Sequence, residues 1–352
     1  QYAPAVRELA KLHAQRAHVA AQTAEAMLAL ATADVEAPSK PCIERALTLA
    51  NTRAFLIELE PSDPWAYCHA FVPLLDLFNH AALEDSHVEW SLQANNMAGG
   101  GAAGGNGGLG CLELTTRRAA TSGEQLLLTY DPTATNDDYV LYHGFCPASN
   151  PFDDVELFDS VEEAIAWHRA SFNSTPNDEL AAMAAYCAAI PPLDGTLHSR
   201  RVGVASAGPK GQPLWVQARK VDPRLLATFR LLAAELNENV DDGEEDVHAA
   251  RAMLLRAQEV LDEFETTLAD DVRQLASLSL MPRDVNAAVA ACIEPDALQD
   301  ASAEAHEAVP DIAPEPGAVI ALKYRAGKKM VLTAAISWMR ERWLSNSSSS
   351  LT

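Results

Sequence analysis

The stretch GEQLLLTYDPTATN, Gly123 to Asn136, carries the reading of the fold. Gly123 supplies the permissive backbone that closes a turn through RRAATSGE. Gln125 to Tyr130 (QLLLTY) then has the composition of a strand, and Asp131 onward is turn-forming up to Asn136. CLELTT, Cys111 to Thr116, reads as a second strand on the other side of the turn. The centre of the chain is therefore expected to be built from short strands, with a tyrosine at the end of one of them.

Outward from this stretch the pattern continues on both sides. HVEWSLQ, His87 to Gln93, alternates like a strand. MAGGGAAGGNGGLG, Met97 to Gly110, lies between it and CLELTT. No Gly-Lys-Ser/Thr follows these glycines and no helix opens there, so we read a flexible insertion in a hairpin loop, not a phosphate cradle. FVPLLDLFNH, Phe71 to His80, is apolar and interrupted by Pro73, which suits a buried irregular segment. Two helices are expected before it, over Val6–Asp34 and over Cys42–Leu59, each bounded by prolines.

Downstream, Asn136 to Tyr142 reads as a short helix or turn, and Asn150-Pro151 marks another turn. After about Phe158 the chain turns helical. Ser160, with Glu163 three residues on, has the pattern of a capping box. Asp222-Pro223 opens a helix running through Glu238, because proline is favoured at the first helical position. Further helices are expected over Glu244–Leu268 and Ala318–Trp343. The acidic, proline-bearing segment Pro295–Gly317 reads as a loop, and the tail SNSSSSLT as disordered.

Composition sets limits on function. The 352 residues allow two or three domains, and 48% hydrophobic residues place the chain among globular proteins. A net charge of −23 argues against tracking nucleic-acid phosphates. It suits a basic peptide partner, or solubility alone. The six cysteines are scattered with no CxxC pair, so no metal site of that spacing is expected, and they read as reduced intracellular thiols. No apolar run is long enough for a membrane span, and no targeting segment is visible. Because the chain starts at Gln1 and not Met, we expect an N-terminal portion to be missing.

Three segments together resemble one family. VPLLDLFNH (Val72–His80) resembles the Asn-His segment of SET-domain protein methyltransferases. GEQLLLTYDPTATN resembles their Gly-Glu-Gln segment, active-site tyrosine and following Asn, and HGFCPASNP (His143–Pro151) their Tyr-Gly-Phe and Asn-Pro elements. Each pattern alone is common; their order and short separations make the resemblance specific. NTRAF (Asn51–Phe55) is similar to the family's Ser-Arg-Ala-Phe element. TTLADDVRQL (Thr266–Leu275) and ALKYRAGKKMVL (Ala321–Leu332) resemble the substrate-binding domain of Rubisco large-subunit lysine methyltransferases. Two departures stand out. No Gly-x-Gly turn precedes Asn51, and His143 stands where the family usually has tyrosine, with Tyr142 one place earlier.

The resemblance implies an α+β chain. A helical insertion would cover residues 1–45, a SET β-fold core 46–158, an all-helical substrate-binding domain 159–345 and a disordered tail 346–352. It implies S-adenosylmethionine as methyl donor, a protein substrate docked by the helical domain, and residence in the chloroplast or cytoplasm. Lysine is the expected acceptor; a histidine acceptor or a catalytically inactive binding adaptor are the alternatives.

The chemistry explains the residue types. Free lysine has a pKa of about 10.4, so only about one molecule in a few thousand is neutral at pH 7. A desolvated site already holding a cation favours loss of that proton, and alignment of nitrogen, methyl and sulfur supplies much of the acceleration. Tyr130 is the expected catalytic tyrosine, orienting the amine and facing the cationic donor. Asn79 and His80 are expected to bind the donor. Arg53 would hold its carboxylate or be an exposed helix cation. Asp76 would touch substrate or satisfy buried backbone. Tyr142 is a candidate substrate contact. His143 would line the lysine channel, act as a general base or simply pack. Asn136 caps a turn. Asp153 and Asp154 are expected in a solvated turn, and Lys328 and Lys329 on a solvent-facing helix surface.

Overall fold

Helix α1 (Lys40–Arg53) opens behind Ser39 with Pro41 in its first turn, where a missing N–H is tolerated. It is shorter than expected. Ala54 turns extended, and Phe55–Glu58 forms strand β1, antiparallel to β2 (Tyr67–Ala70) with Phe55 opposite Ala70. Cross-strand pairing here overrides the helical periodicity that continues through these residues. The computed structural model describes residues 39–58, 67–93, 111–147, 149–172, 180–190, 213–236, 244–278 and 315–344, with positions 18, 21, 22 and 25. Most of the helix expected over Val6–Asp34, the glycine-rich stretch, most of Pro295–Gly317 and the tail lie outside these residues.

The chain is mixed α+β. It divides into two units: the described residues from Ala20 to Pro132, and those from Thr133 onward. In the first, a four-stranded sheet has the order β3-β6-β4-β5, with β3 Asn79–His80, β4 Val88–Gln93, β5 Cys111–Thr116 and β6 Leu127–Leu128. Strand β6 runs parallel to β3 and β4, while β4 and β5 form an antiparallel pair. Of the strand expected over Gln125–Tyr130, only Leu127 and Leu128 enter the ladder. Its small core is Leu75, Val88 and Leu128, flanked by Phe55, Phe78, Trp90 and Tyr130. The segment Phe71–Phe78 is irregular as its proline requires, but it is not buried as a whole. Leu75 is buried, whereas Phe71, Leu77 and Leu74 (74% exposed) face outward.

The second unit begins with α2 (Asn136–Asp138), which runs on as a π-helical turn over Tyr139–His143. Strand β7 (Asp154–Phe158) pairs antiparallel with β8 (Leu214–Gln217), and β8 with β9 (Lys220–Val221). This part of the chain is therefore not all-helical. The contact division falls at residue 132, ahead of the compositional change near 158, because β7 joins this sheet. Around the sheet lie α3 (Val161–Phe172), α4 (Leu180–Ala188), α5 (Pro223–Leu236), α6 (Glu244–Asp262), α7 (Leu268–Ser277) and α8 (Pro316–Met339).

The helix starts follow local chemistry. Ser160 accepts from the Glu163 N–H at 3.2 Å, although Glu163 returns to Asp159 N–H and not to Ser160. Asp222 accepts from Arg224 N–H at 2.9 Å at the head of α5. The helix expected over Glu244–Leu268 stops at Asp262. Thr267 and Asp270 then form a capping box that starts α7 anew. The core is continuous, running from Val155, Leu157 and Ile165 through Phe229 and Met253 to Leu332 and Met339. No helix among the described residues is long and apolar enough to cross a membrane.

Candidate functional site

Arg53, Asp76, Asn79, His80 and Tyr130 fall in the strand-rich unit. Parallel pairing sets Asn79 opposite Leu127 and His80 opposite Leu128. Two residues on, the Tyr130 N–H donates to His80 Nδ1 at 3.3 Å, which places the neutral ring's proton on Nε2. The Tyr130 hydroxyl donates to the Phe78 carbonyl at 2.9 Å, and the Tyr130 and His80 rings lie 5.3 Å apart. Burial raises the Tyr130 pKa, opposed by the nearby Arg53 guanidinium. The phenol therefore stays protonated at neutral pH. Arg53 ends α1, and its Nη1 donates to the Asp76 carbonyl at 2.8 Å. It holds Asp76 by the backbone and not by the carboxylate. Asp76 sits in a 3-10 turn (Leu75–Leu77) behind Leu74, whose φ of 75° and ψ of −43° lie near the strained γ-turn. The Asn79 side chain is exposed.

A relay holds the strand that delivers Tyr130. Thr121 N–H donates to Glu124 Oε2 at 2.8 Å, Glu124 Oε1 lies 2.9 Å from the Nε2 of buried His87, and His87 Nδ1 accepts from Leu127 N–H at 3.3 Å. The Thr121 N–H, followed by His87, lowers the Glu124 pKa to about 2. Gly123, at φ 86°, makes the turn that Glu124 closes. The Gly-Glu-Gln segment thus fixes where β6 enters the sheet.

Asn136, Tyr142 and His143 lie in the other unit. Thr135 and Asp138 cap α2 reciprocally, and Gly144, left-handed at φ 73°, ends the π turn with its N–H on the Tyr139 carbonyl. Tyr142 and His143, both half-buried, occupy the end of this turn. The His143 ring lies 6.0 Å from Tyr139 and 6.2 Å from Phe145.

Four charged residues expected in solvent are buried instead. Lys328 is 1% exposed; its Nζ donates to Asp137 Oδ2 at 2.6 Å, Asp153 Oδ1 at 2.8 Å and the Asp154 carbonyl at 2.8 Å. Tyr324 OH donates to Asp137 Oδ1 at 2.5 Å. Asp153 also takes the Asn136 N–H and side-chain amide, so Asn136 is more than a turn cap. Burial raises the Asp153 pKa and Asp137 adds to this, while Lys328 opposes. Lys329, equally buried, donates to Thr266, Thr267 and Asp271, and its pKa is lowered by burial against the pull of Asp271. Buried charges need such partners. A Lys-Lys pair followed at once by the apolar run Met330–Leu332, in a chain with Asp-Asp pairs at 137–138 and 153–154, is the sequence signal for this arrangement. Among the described residues, no group of three or more His, Cys, Asp or Glu is placed to hold a metal ion. No protein-family model matches the chain, and no curated protein matches it.

Proposed function

We propose that this chain is an S-adenosylmethionine-dependent protein N-methyltransferase with a SET-type core, acting on lysine. One observation carries the reading. The Asn79-His80 strand lies in parallel register with the strand leading to Tyr130, and His80 Nδ1 takes the Tyr130 N–H across a separation of 50 residues. The residues present suit the donor. Asn79 offers an exposed amide, and Arg53 is a guanidinium with five donors, of which one is seen on the Asp76 carbonyl. Tyr130 offers a neutral phenol and ring.

When bound, the donor supplies an electrophilic methyl group on a sulfonium. Asn79 and the β3 backbone would hold it, with Arg53 available to its carboxylate. The Tyr130 hydroxyl would orient the lysine nitrogen, which must first lose its proton to solvent. The methyl group would then pass from sulfur to that nitrogen, with a neutral thioether as the leaving group. Collinear alignment does most of the work, so the tyrosine must keep its place and its proton.

The test is incubation of the purified protein with methyl-labelled S-adenosylmethionine and a panel of basic protein substrates. Label on lysine Nε, located by mass spectrometry, is the expected result. Label on histidine nitrogen would instead support the histidine acceptor that His143, in place of the family's tyrosine, makes the second reading. Donor binding by calorimetry without any transfer, or neither, would leave only a binding adaptor.

A further inference from the structure

Lys328 and Lys329 are adjacent in α8, both fully buried, yet they hold different parts of the molecule. Lys329 reaches Thr266, Thr267 and Asp271, at the start of α7. Lys328 reaches Asp137 and Asp153. Asp137 belongs to α2, which continues without a break into the π turn carrying Tyr142 and His143. Its carboxylate is held on both oxygens, Oδ2 by Lys328 and Oδ1 by Tyr324, one helical turn apart on α8. Asp153, the second carboxylate on Lys328, grips the N–H and amide of Asn136, the first residue of α2, and Asn150 donates to the Asn136 side-chain oxygen Oδ1 at 3.0 Å. Asn136, Asp137, Asp153, Tyr324 and Lys328 are all buried, where a two-point charged contact is stiff and an unpaired carboxylate is costly.

A π turn is rare in helices and is frequently found at functional sites. This one would unwind to ordinary helix or loop with little loss of packing at its far end, since Tyr142 and His143 are only half-buried. What fixes its near end is α8. We infer that Lys328, together with Tyr324, is a positioning residue: from α8 it clamps Asp137 and so sets where the Tyr142–His143 turn points. This rests on the methyl-transfer reading for its functional meaning, but the clamp itself can be measured without it. Under that reading, the helix whose sequence resembles a substrate-binding element also positions Tyr142 and His143.

The experiment compares the full chain with Tyr324→Phe, Lys328→Met and Lys329→Met. Lys329→Met removes an equally buried ammonium from the neighbouring position and is the control for simple destabilisation. By hydrogen exchange, the amides of 139–145 should open at least about tenfold faster in Tyr324→Phe and Lys328→Met, relative to the α6 amides, and not in Lys329→Met. In the methyl-transfer assay, Tyr324→Phe should lower kcat by roughly fivefold or more with donor affinity unchanged. Lys329→Met should leave kcat in place. Equal exchange in all three folded variants, or an unmoved 139–145 segment in Tyr324→Phe and Lys328→Met, overturns the positioning role. Unchanged kcat in a Tyr324→Phe protein whose turn has loosened overturns its catalytic consequence. A wild-type protein that transfers no methyl group defeats the methyltransferase reading, and the exchange pattern still decides the clamp.

Discussion

The Tyr130 hydroxyl donates to the Phe78 carbonyl, one residue before the Asn79-His80 pair, while its N–H is held by His80. These two bonds separate its roles. The N–H anchors the end of β6 and survives any side-chain change; on the proposed methyl-transfer reading, the hydroxyl is the part available for chemistry. Tyr130→Phe should therefore leave the backbone in place, since water can reach a half-buried carbonyl. It should lower the turnover number at least about tenfold, roughly 1.4 kcal/mol of barrier. Donor affinity should hardly change. Calorimetry and steady-state kinetics on one preparation check both, and wild-type turnover in the variant would remove Tyr130 from the chemistry. The order of short segments singled out Tyr130, Asn79 and His80 as candidates, and the fold does bring His80 and Tyr130 together. The burial of Lys328 could not be read that way. A lysine in a helix looks solvent-bound until Asp137 and Asp153, 191 and 175 residues away, are brought to it.

At the scale of elements, α8 shows how close packing reverses a local preference. Glycine inside a helix is worse than alanine by about 1 kcal/mol. Gly317, in the first turn of α8, has nothing within 4 Å of a would-be Cβ, so Gly317→Ala should be neutral or slightly stabilising. Gly327 is different. A Cβ there would meet the Asn136 side-chain nitrogen at 2.9 Å, and that amide is fixed by Asp153 and Asn150 and cannot step aside. Gly327→Ala should cost about 1–3 kcal/mol in spite of the better helix former. Chemical denaturation of the two variants measures the difference, and a Gly327→Ala protein as stable as Gly317→Ala would mean that α2 yields easily. The same contrast explains which elements were legible. The starts of α3 and α5 are written in Ser160 and Asp222-Pro223, residues that act within a turn of themselves. Strand β1 is not, because Phe55–Glu58 continues a helical pattern and becomes a strand only against β2. Strands β8 and β9 did carry a signal, an apolar run at 214–216 returning through a short turn to Val221, but it lies within a largely helical stretch.

For the molecule as a whole, stability is unevenly placed. The strand-rich unit closes over Leu75, Val88 and Leu128, while the helical unit has a core reaching from β7 to α8. Beside that larger core is an imidazole pair: buried His168 on α3 and half-buried His248 on α6, with Nε2 to Nε2 at 2.9 Å. Phe172 and Phe229 lie 4.6 Å and 5.5 Å from the His168 ring. One ring donates and the other accepts, so the contact suits two neutral imidazoles. Burial, then the charge of His248 and Arg169, pushes the His168 pKa down to about 4; burial and Arg251 lower that of His248 as well. The unfolded chain, with an ordinary histidine near 6.5, takes up a proton that the folded one refuses. Stability is therefore complete above about pH 6.5 and falls as pH drops toward 4, by about 2 kcal/mol between pH 7 and pH 5 for His168 alone. The lowered carboxylates Glu124 and Asp270, both at about 2, act in a separate and more acidic window, since their contributions fade only below the ordinary carboxylate range. Self-repulsion of a chain with net charge −23 runs the other way, easing as carboxylates take up protons. Denaturant midpoints at pH 7, 6 and 5 should thus fall for the wild type, and fall less steeply for His168→Phe, whatever that variant's stability at pH 7. Equal slopes for the two proteins would show that the imidazole pair does not set the acid sensitivity of this core.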